Sequence, residues 1–161
     1  MKQFFLIVSI LLSFSSFGQV QPAIKNVHAF YYIPLPGIIG VDLDGNPLKV
    51  KRDTVYRIFV EVKGTVPKWK AAWKGGKTYL ISAIPQKNFP VKAGETTDDG
   101  MPINITPRKG NSLWELEFGA PTSTEINKGI KSNEIMLEGV FKNKIFYKKA
   151  IPTHIASPLY Q

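Results

Sequence analysis

Proline and glycine punctuate this chain so densely that a long helix has nowhere to form. Of its 161 residues, 12 are proline and 13 glycine, and beyond the N-terminal leader the longest run free of both is Leu48 to Lys63. In a helix interior, proline removes a backbone bond and clashes with the preceding turn, and each glycine costs about 1 kcal/mol relative to alanine. Even the free run is not helical in pattern. Tyr56, Ile58, Val60 and Val62 alternate with Arg57, Glu61 and Lys63, the period of two expected of a strand with one buried face. Phe59, in phase with the polar set, predicts partial cover on the second face as well.

The same grammar recurs along the chain. Ile24 to Ile33 is β-branched and aromatic and stops at Pro34. Ile38 to Leu43 leads into Asp44–Gly45, a tight-turn dipeptide. Leu113 to Phe118 alternates, with Trp114, Leu116 and Phe118 on one face and Glu115 and Glu117 on the other. Ile135 to Phe141, a Lys142–Asn143 turn and Lys144 to Ala150 read as a hairpin, and the polar Ala120 to Asn133 reads as a loop with one helical turn near Glu125. About ten short strands between turn signals predict an all-β domain, specifically a β-sandwich with immunoglobulin-like layering. Asp44–Gly45–Asn46–Pro47–Leu48 and Asp99–Gly100–Met101–Pro102–Ile103 share one form. Asp-Gly makes the reversal and proline forces its predecessor into extended geometry, so shared turn chemistry explains the echo without a duplication.

The N-terminus has the three parts of a secretory leader: Lys2, an apolar run from Phe4 to Leu12, and small residues Ser16 and Gly18 before Gln19. Serines break the run well short of the roughly 20 apolar residues of a membrane span. Residues 1–18 are therefore predicted to be a cleaved signal peptide, with 19–161 a single exported domain ending in a short proline-containing tail, in the periplasm or outside the cell. The absence of cysteine excludes both disulfides and the lipid-anchored leader type, which acylates a cysteine. A hydrophobic fraction of 43%, with 12% aromatics, is enough for a core and argues against disorder. The formal net charge of +9 habitually suggests nucleic acid, but export points away from it. The polyanions met outside the cytoplasm are acidic glycans, lipopolysaccharide and lipid headgroups.

The chemistry-bearing residue types do not assemble into a catalytic pattern. Asp42, Asp44 and Asn46 have the spacing of a calcium loop, yet Pro47 stands where that loop needs glycine. His28 and His154 are too few for a zinc site in a chain without thiols. Glu115 and Glu117 lie about 7 Å apart on one strand face by strand rise. Trp114 to Phe118 resembles the acid-bearing strand of jelly-roll glucanases, but Gly119 occupies the place of their third carboxylate. No nucleophile elbow, triad context or phosphate loop is present. The sequence thus predicts a non-catalytic protein without cofactor or metal.

The most unusual segment is Val66 to Tyr79, where Trp69 and Trp73 alternate with Lys68, Lys70 and Lys74, and Lys77 follows Gly75–Gly76. As a strand, Trp69, Ala71 and Trp73 share a face and the glycines close a hairpin onto Thr78 to Ile84; this is the favoured reading. As a short helix, Thr65 caps and Trp69, Ala72 and Trp73 share a face. Either way indoles and ammonium groups lie side by side, a combination that stacks on sugar rings and attracts carboxylate, sulfate or phosphate. The competing account puts both tryptophans in the core. Two functions follow: an exported interaction domain for a protein partner, or a binding module for an anionic glycan or lipopolysaccharide headgroup through Trp69, Trp73, Lys68, Lys70, Lys74 and Lys77. Burial of the tryptophans decides against stacking at that site.

Overall fold

The computed structural model describes residues 22–35, 41–48, 52–122 and 129–158. The predicted leader, the start of the Ile38 segment and the proposed turn near Glu125 lie outside them. Among the described residues the chain is all-β, without a helix. Ten strands run in order: β1 (Ile24–Tyr32), β2 (Val55–Lys63), β3 (Lys68–Lys74), β4 (Lys77–Gln86), β5 (Val91–Glu95), β6 (Pro102–Ile105), β7 (Asn111–Thr122), β8 (Ile135–Phe141), β9 (Lys144–Ala150) and β10 (Thr153–His154).

Eight of them form one sheet in the order β10-β1-β2-β7-β4-β3-β8-β9, antiparallel except for β10 against β1; β5 and β6 form a separate ribbon. The large sheet curls until β9 approaches β1. The hydrogen bonding divides eight to two, into one large curled sheet and a two-stranded ribbon. Curling lets one sheet bury its own concave face. Ile58, Val60 and Val62 of β2 meet Trp69 and Ala72 of β3, Leu116 of β7, Ile135 and Leu137 of β8 and Phe146 of β9 in one inner cluster. The alternation read for β2 and β7 is the alternation observed.

A second cluster forms on the outside of β1, β2 and β7. Phe30, Phe59 and Leu113 are roofed there by Ala93 and Ile105 of the ribbon and Ile155 of the tail. Backbone bonds pin that roof: Ile155 N–H donates to the Tyr31 carbonyl and Ala156 N–H to that of Glu95, each at 2.9 Å. The packing is close enough that a Cβ on Gly94 would stand 2.5 Å from Ile155 Cδ1.

The predicted turns are in place. Lys142 and Asn143 link β8 to β9 with φ of 48° and 60°, the doubly left-handed geometry of a tight hairpin. In the Asp-Gly turns, Asp42 Oδ1 accepts the amides of Asp44 (3.0 Å) and Asn46 (2.8 Å), and Asp99 Oδ1 accepts that of Met101 (3.2 Å). Ala120 to Thr122, expected to begin a loop, instead prolong β7 by pairing with β4. The neighbouring strand supplies the partners that their own pattern did not announce.

Candidate functional site

The Trp-Lys segment folds as the hairpin β3–β4, but its tryptophans do not share a face. Between Trp69 and Ala71 the β3–β8 ladder shifts register, and such a bulge inserts one unpaired residue and reverses the phase beyond it. Trp69, opposite Gly139, points into the inner core and meets Phe146 edge-on at 5.4 Å. Trp73, opposite Met136, faces outward and lies against Tyr147 at 6.0 Å. Their exposures are 6% and 5%, so neither indole offers a face to a sugar. Lys68 and Lys70 are exposed beside the bulge. Lys74 and Lys77 end up elsewhere, at one end of the curled sheet.

That end is a mouth, and strand direction explains which residues meet there. In an antiparallel sheet the start of one strand lies beside the end of its neighbour, so Tyr31 (end of β1), Tyr56 (start of β2), Phe118 (towards the end of β7) and Tyr79 (start of β4) converge. Their rings step across four strands at centroid distances of 6.4, 5.7 and 5.3 Å, and His154 of β10 stacks on Tyr31 at 4.9 Å. Under this row the sheet splits. The β2–β7 ladder ends at Ile58–Leu116, whereas β2 stays paired with β1 as far as Val55 and β7 with β4 as far as Thr122.

The split opens a cavity of about 810 Å³ lined by Arg52 to Arg57, Lys74, Lys77, Tyr79 and residues of β7 from Glu115 to Pro121. A smaller one of about 370 Å³, lined by Tyr31, Thr54, Tyr56, Lys74, Ser132, Asn133 and Pro152, adjoins it through the shared Thr54, Tyr56 and Lys74. Both volumes fall in the range of ligand sites, which favour barrel mouths.

The charges of the mouth are not equivalent. Arg57 Nη2 is held by Glu115 Oε1 at 2.8 Å and Arg57 Nη1 reaches the Ala93 carbonyl at 2.7 Å, which directs this guanidinium to the ribbon. Lys74, half-buried, donates to the Ser132 carbonyl and meets no carboxylate among the described residues. Desolvation holds its ammonium below the usual lysine range. Burial, with a smaller push from Tyr79, raises the Tyr56 phenol; burial, with Asp53 beside it, raises that of Tyr79. Both therefore keep their protons at neutral pH and can donate hydrogen bonds to a ligand oxygen.

Of the residues of catalytic interest from the sequence, Glu115 and Glu117 both line the larger cavity, Glu115 committed to Arg57 and Glu117 exposed. His28 is half-buried in β1, and Asp42 spends its carboxylate on turn amides. Among the described residues no group of three or more His, Asp or Glu is placed to hold a metal. Sequence reasoning missed Tyr31, Tyr56, Tyr79, Phe118 and Arg52. A partial signal was present: each of the three tyrosines holds a core-phase position near the end of its strand, where a ring with a polar tip replaces an aliphatic residue. No protein-family model matches this chain, and no curated protein or solved structure does either.

Proposed function

We propose that this chain is an exported, non-catalytic interaction domain whose ligand is an acidic carbohydrate seated in the mouth of the curled sheet. The eight-stranded sheet and its ribbon serve as a sandwich-like scaffold for that mouth. One observation carries the reading: a half-buried ammonium, that of Lys74, faces an aromatic row without a carboxylate partner among the described residues. A desolvated cation of this kind gains from an anion that displaces the remaining water. The tyrosine rings offer flat faces to sugars and neutral hydroxyls to their oxygens, while Lys77 and Arg52 at the rim attract carboxylate or sulfate. Export rests on the leader predicted over residues 1–18, and the non-catalytic reading on the missing nucleophile pattern in the sequence and on the commitment of Glu115 to Arg57. The glycan reading thus keeps Lys74 and Lys77 and exchanges the two tryptophans for Tyr56 and Tyr79.

Calorimetric titration of the purified protein with oligogalacturonate, and with an uncharged oligosaccharide of equal length, tests this. Binding is expected for the acidic ligand alone and to weaken as salt rises, since screening acts over about 8 Å at physiological ionic strength. Lys74→Gln should weaken it about tenfold, the loss of one charge-assisted hydrogen bond. Affinity should also decline at a lower alkaline pH than an ordinary lysine would dictate, because the depressed ammonium loses its proton sooner. No binding at low salt, or equal affinity in Lys74→Gln, rejects the proposal.

A further inference from the structure

Among the described residues nothing roofs the outside of β3, β4, β8 and β9 as the ribbon and tail roof β1, β2 and β7, and its composition is unlike an ordinary solvated face. Ala72, Leu137 and Phe146 belong to the inner core. Their sequence neighbours Ala71, Glu138 and Tyr147 therefore point outward, and the pairing lines them up with Leu80 in one row. Beside it runs Lys68–Val140–Ile145. Leu80 is 63% exposed, Ile145 60% and Tyr147 49%, although large apolar side chains on a strand normally find cover.

Lysines flank these side chains. Lys68 and Lys70 stand at one side and Lys149 at the other, all exposed. Two carboxylates accompany them: Glu138, half-buried within the row, and Glu134, already bound to Lys149 at 3.0 Å.

We propose that this face docks on an anionic lipid surface. Charge selects the occupant: a second copy would set lysines against lysines, whereas anionic headgroups complement them. Shape agrees. The outer side of a curled sheet is convex and carries separate protruding aliphatic groups, which the deformable headgroup region accepts. Lysine stems lie along apolar neighbours while their ammonium groups reach phosphates, and clustered lysines next to inserted apolar groups give the two-part attraction of peripheral binding. The mouth plays no part, so this inference does not depend on the carbohydrate reading.

Flotation of the purified protein with phosphatidylcholine vesicles, with and without phosphatidylglycerol, is the test. Binding is expected only to the anionic vesicles and to weaken with salt. Leu80→Ser with Ile145→Ser, and separately Lys68→Gln with Lys70→Gln, should each reduce it about tenfold while melting temperature and oligogalacturonate binding stay unchanged. The lysine pair, exposed to solvent, serves if the serine pair disturbs folding. Absence of binding to anionic vesicles overturns the proposal. So does binding that survives both pairs, or a concentration-dependent dimer that the serine pair dissolves, which would assign the face to a second copy.

Discussion

The two halves of the outer surface are built from strands of the same alternating kind, yet among the described residues one is roofed and the other bare. Over β1, β2 and β7, the ribbon and tail bury Phe30, Phe59 and Leu113. Polar side chains there are enlisted as well. Arg57 lies over the Phe59 ring at 5.1 Å and ties Glu115 to the ribbon, and Glu61 is only 2% exposed. Over β3, β4, β8 and β9, Leu80, Ile145 and Tyr147 in the same outward phase remain largely in water, although Trp73 among them is covered. Cover is thus decided by a distant segment, residues 91–105 with the tail, and not by the strand's own pattern. The roofed half should contribute to stability and the bare half should be available for contact.

The largest expected effect lies in the roofed half. Phe59→Ala removes a ring that has no exposure and leaves a cavity beneath the ribbon, which should cost about 3–5 kcal/mol in urea unfolding. A loss below about 1 kcal/mol would mean that the ribbon is loosely held. The contrast between the halves would then collapse.

That contrast was half legible in the sequence. Tyr56, Ile58, Val60 and Val62 declared their buried face because period-two alternation is a local property, and Phe59 announced a second cover. The β8–β9 hairpin was readable from Lys142–Asn143 for the same reason. What could not be read was register. One inserted residue beside Trp69 reverses every side chain after it, and nothing in Lys68 to Lys74 marks the insertion. It arises from pairing with β8, a strand more than sixty residues away. The mouth was hidden for a related reason, since Tyr56, Tyr79 and Phe118 become neighbours only once strand order is known. The ties of Arg57 to the ribbon and of Glu61 to Asn26, Arg108 and Asn111 were likewise hidden, because their partners lie far away in the chain.

Glu61 provides the next test. Burial alone would raise its pKa, but hydrogen bonds from the Asn111 side chain, the Arg108 amide (2.9 Å) and Asn26 outweigh it and hold the carboxyl below its ordinary value of 4.5. A carboxylate with a depressed folded pKa stabilises the fold above its unfolded pKa, and that contribution is lost as pH falls through the folded value. Stability should therefore decline from below about pH 4.5 towards stronger acid. Glu61→Gln, which turns an acceptor into a partial donor facing three donors, should cost on the order of 2 kcal/mol at neutral pH and flatten that part of the acid profile. Denaturant melts of both proteins from pH 7 to pH 3 read out the difference; an unchanged acid limb would show that another group governs it.

The smallest effects belong to the bare half, and there a graded pair of substitutions is the sharper probe. Leu80 is largely in water, so Leu80→Ser should change stability by no more than about 0.5 kcal/mol. Tyr147 is more exposed than Trp73, but its ring covers that indole at 6.0 Å. Tyr147→Ala should therefore cost about 1 kcal/mol through the lost aromatic contact, and Trp73 fluorescence should shift to the red as water reaches it. The order of the two losses matters more than their size. If Leu80→Ser cost as much as Phe59→Ala, the bare half would be as tightly packed as the roofed one and closed to a docking partner. If Tyr147→Ala left both stability and emission unchanged, Trp73 would owe its burial to Met136 and the β8 side of the hairpin instead. With the expected order, the outward face of β9 acts as a thin apolar cover over one tryptophan, and Leu80 and Ile145 beside it stay free for contact.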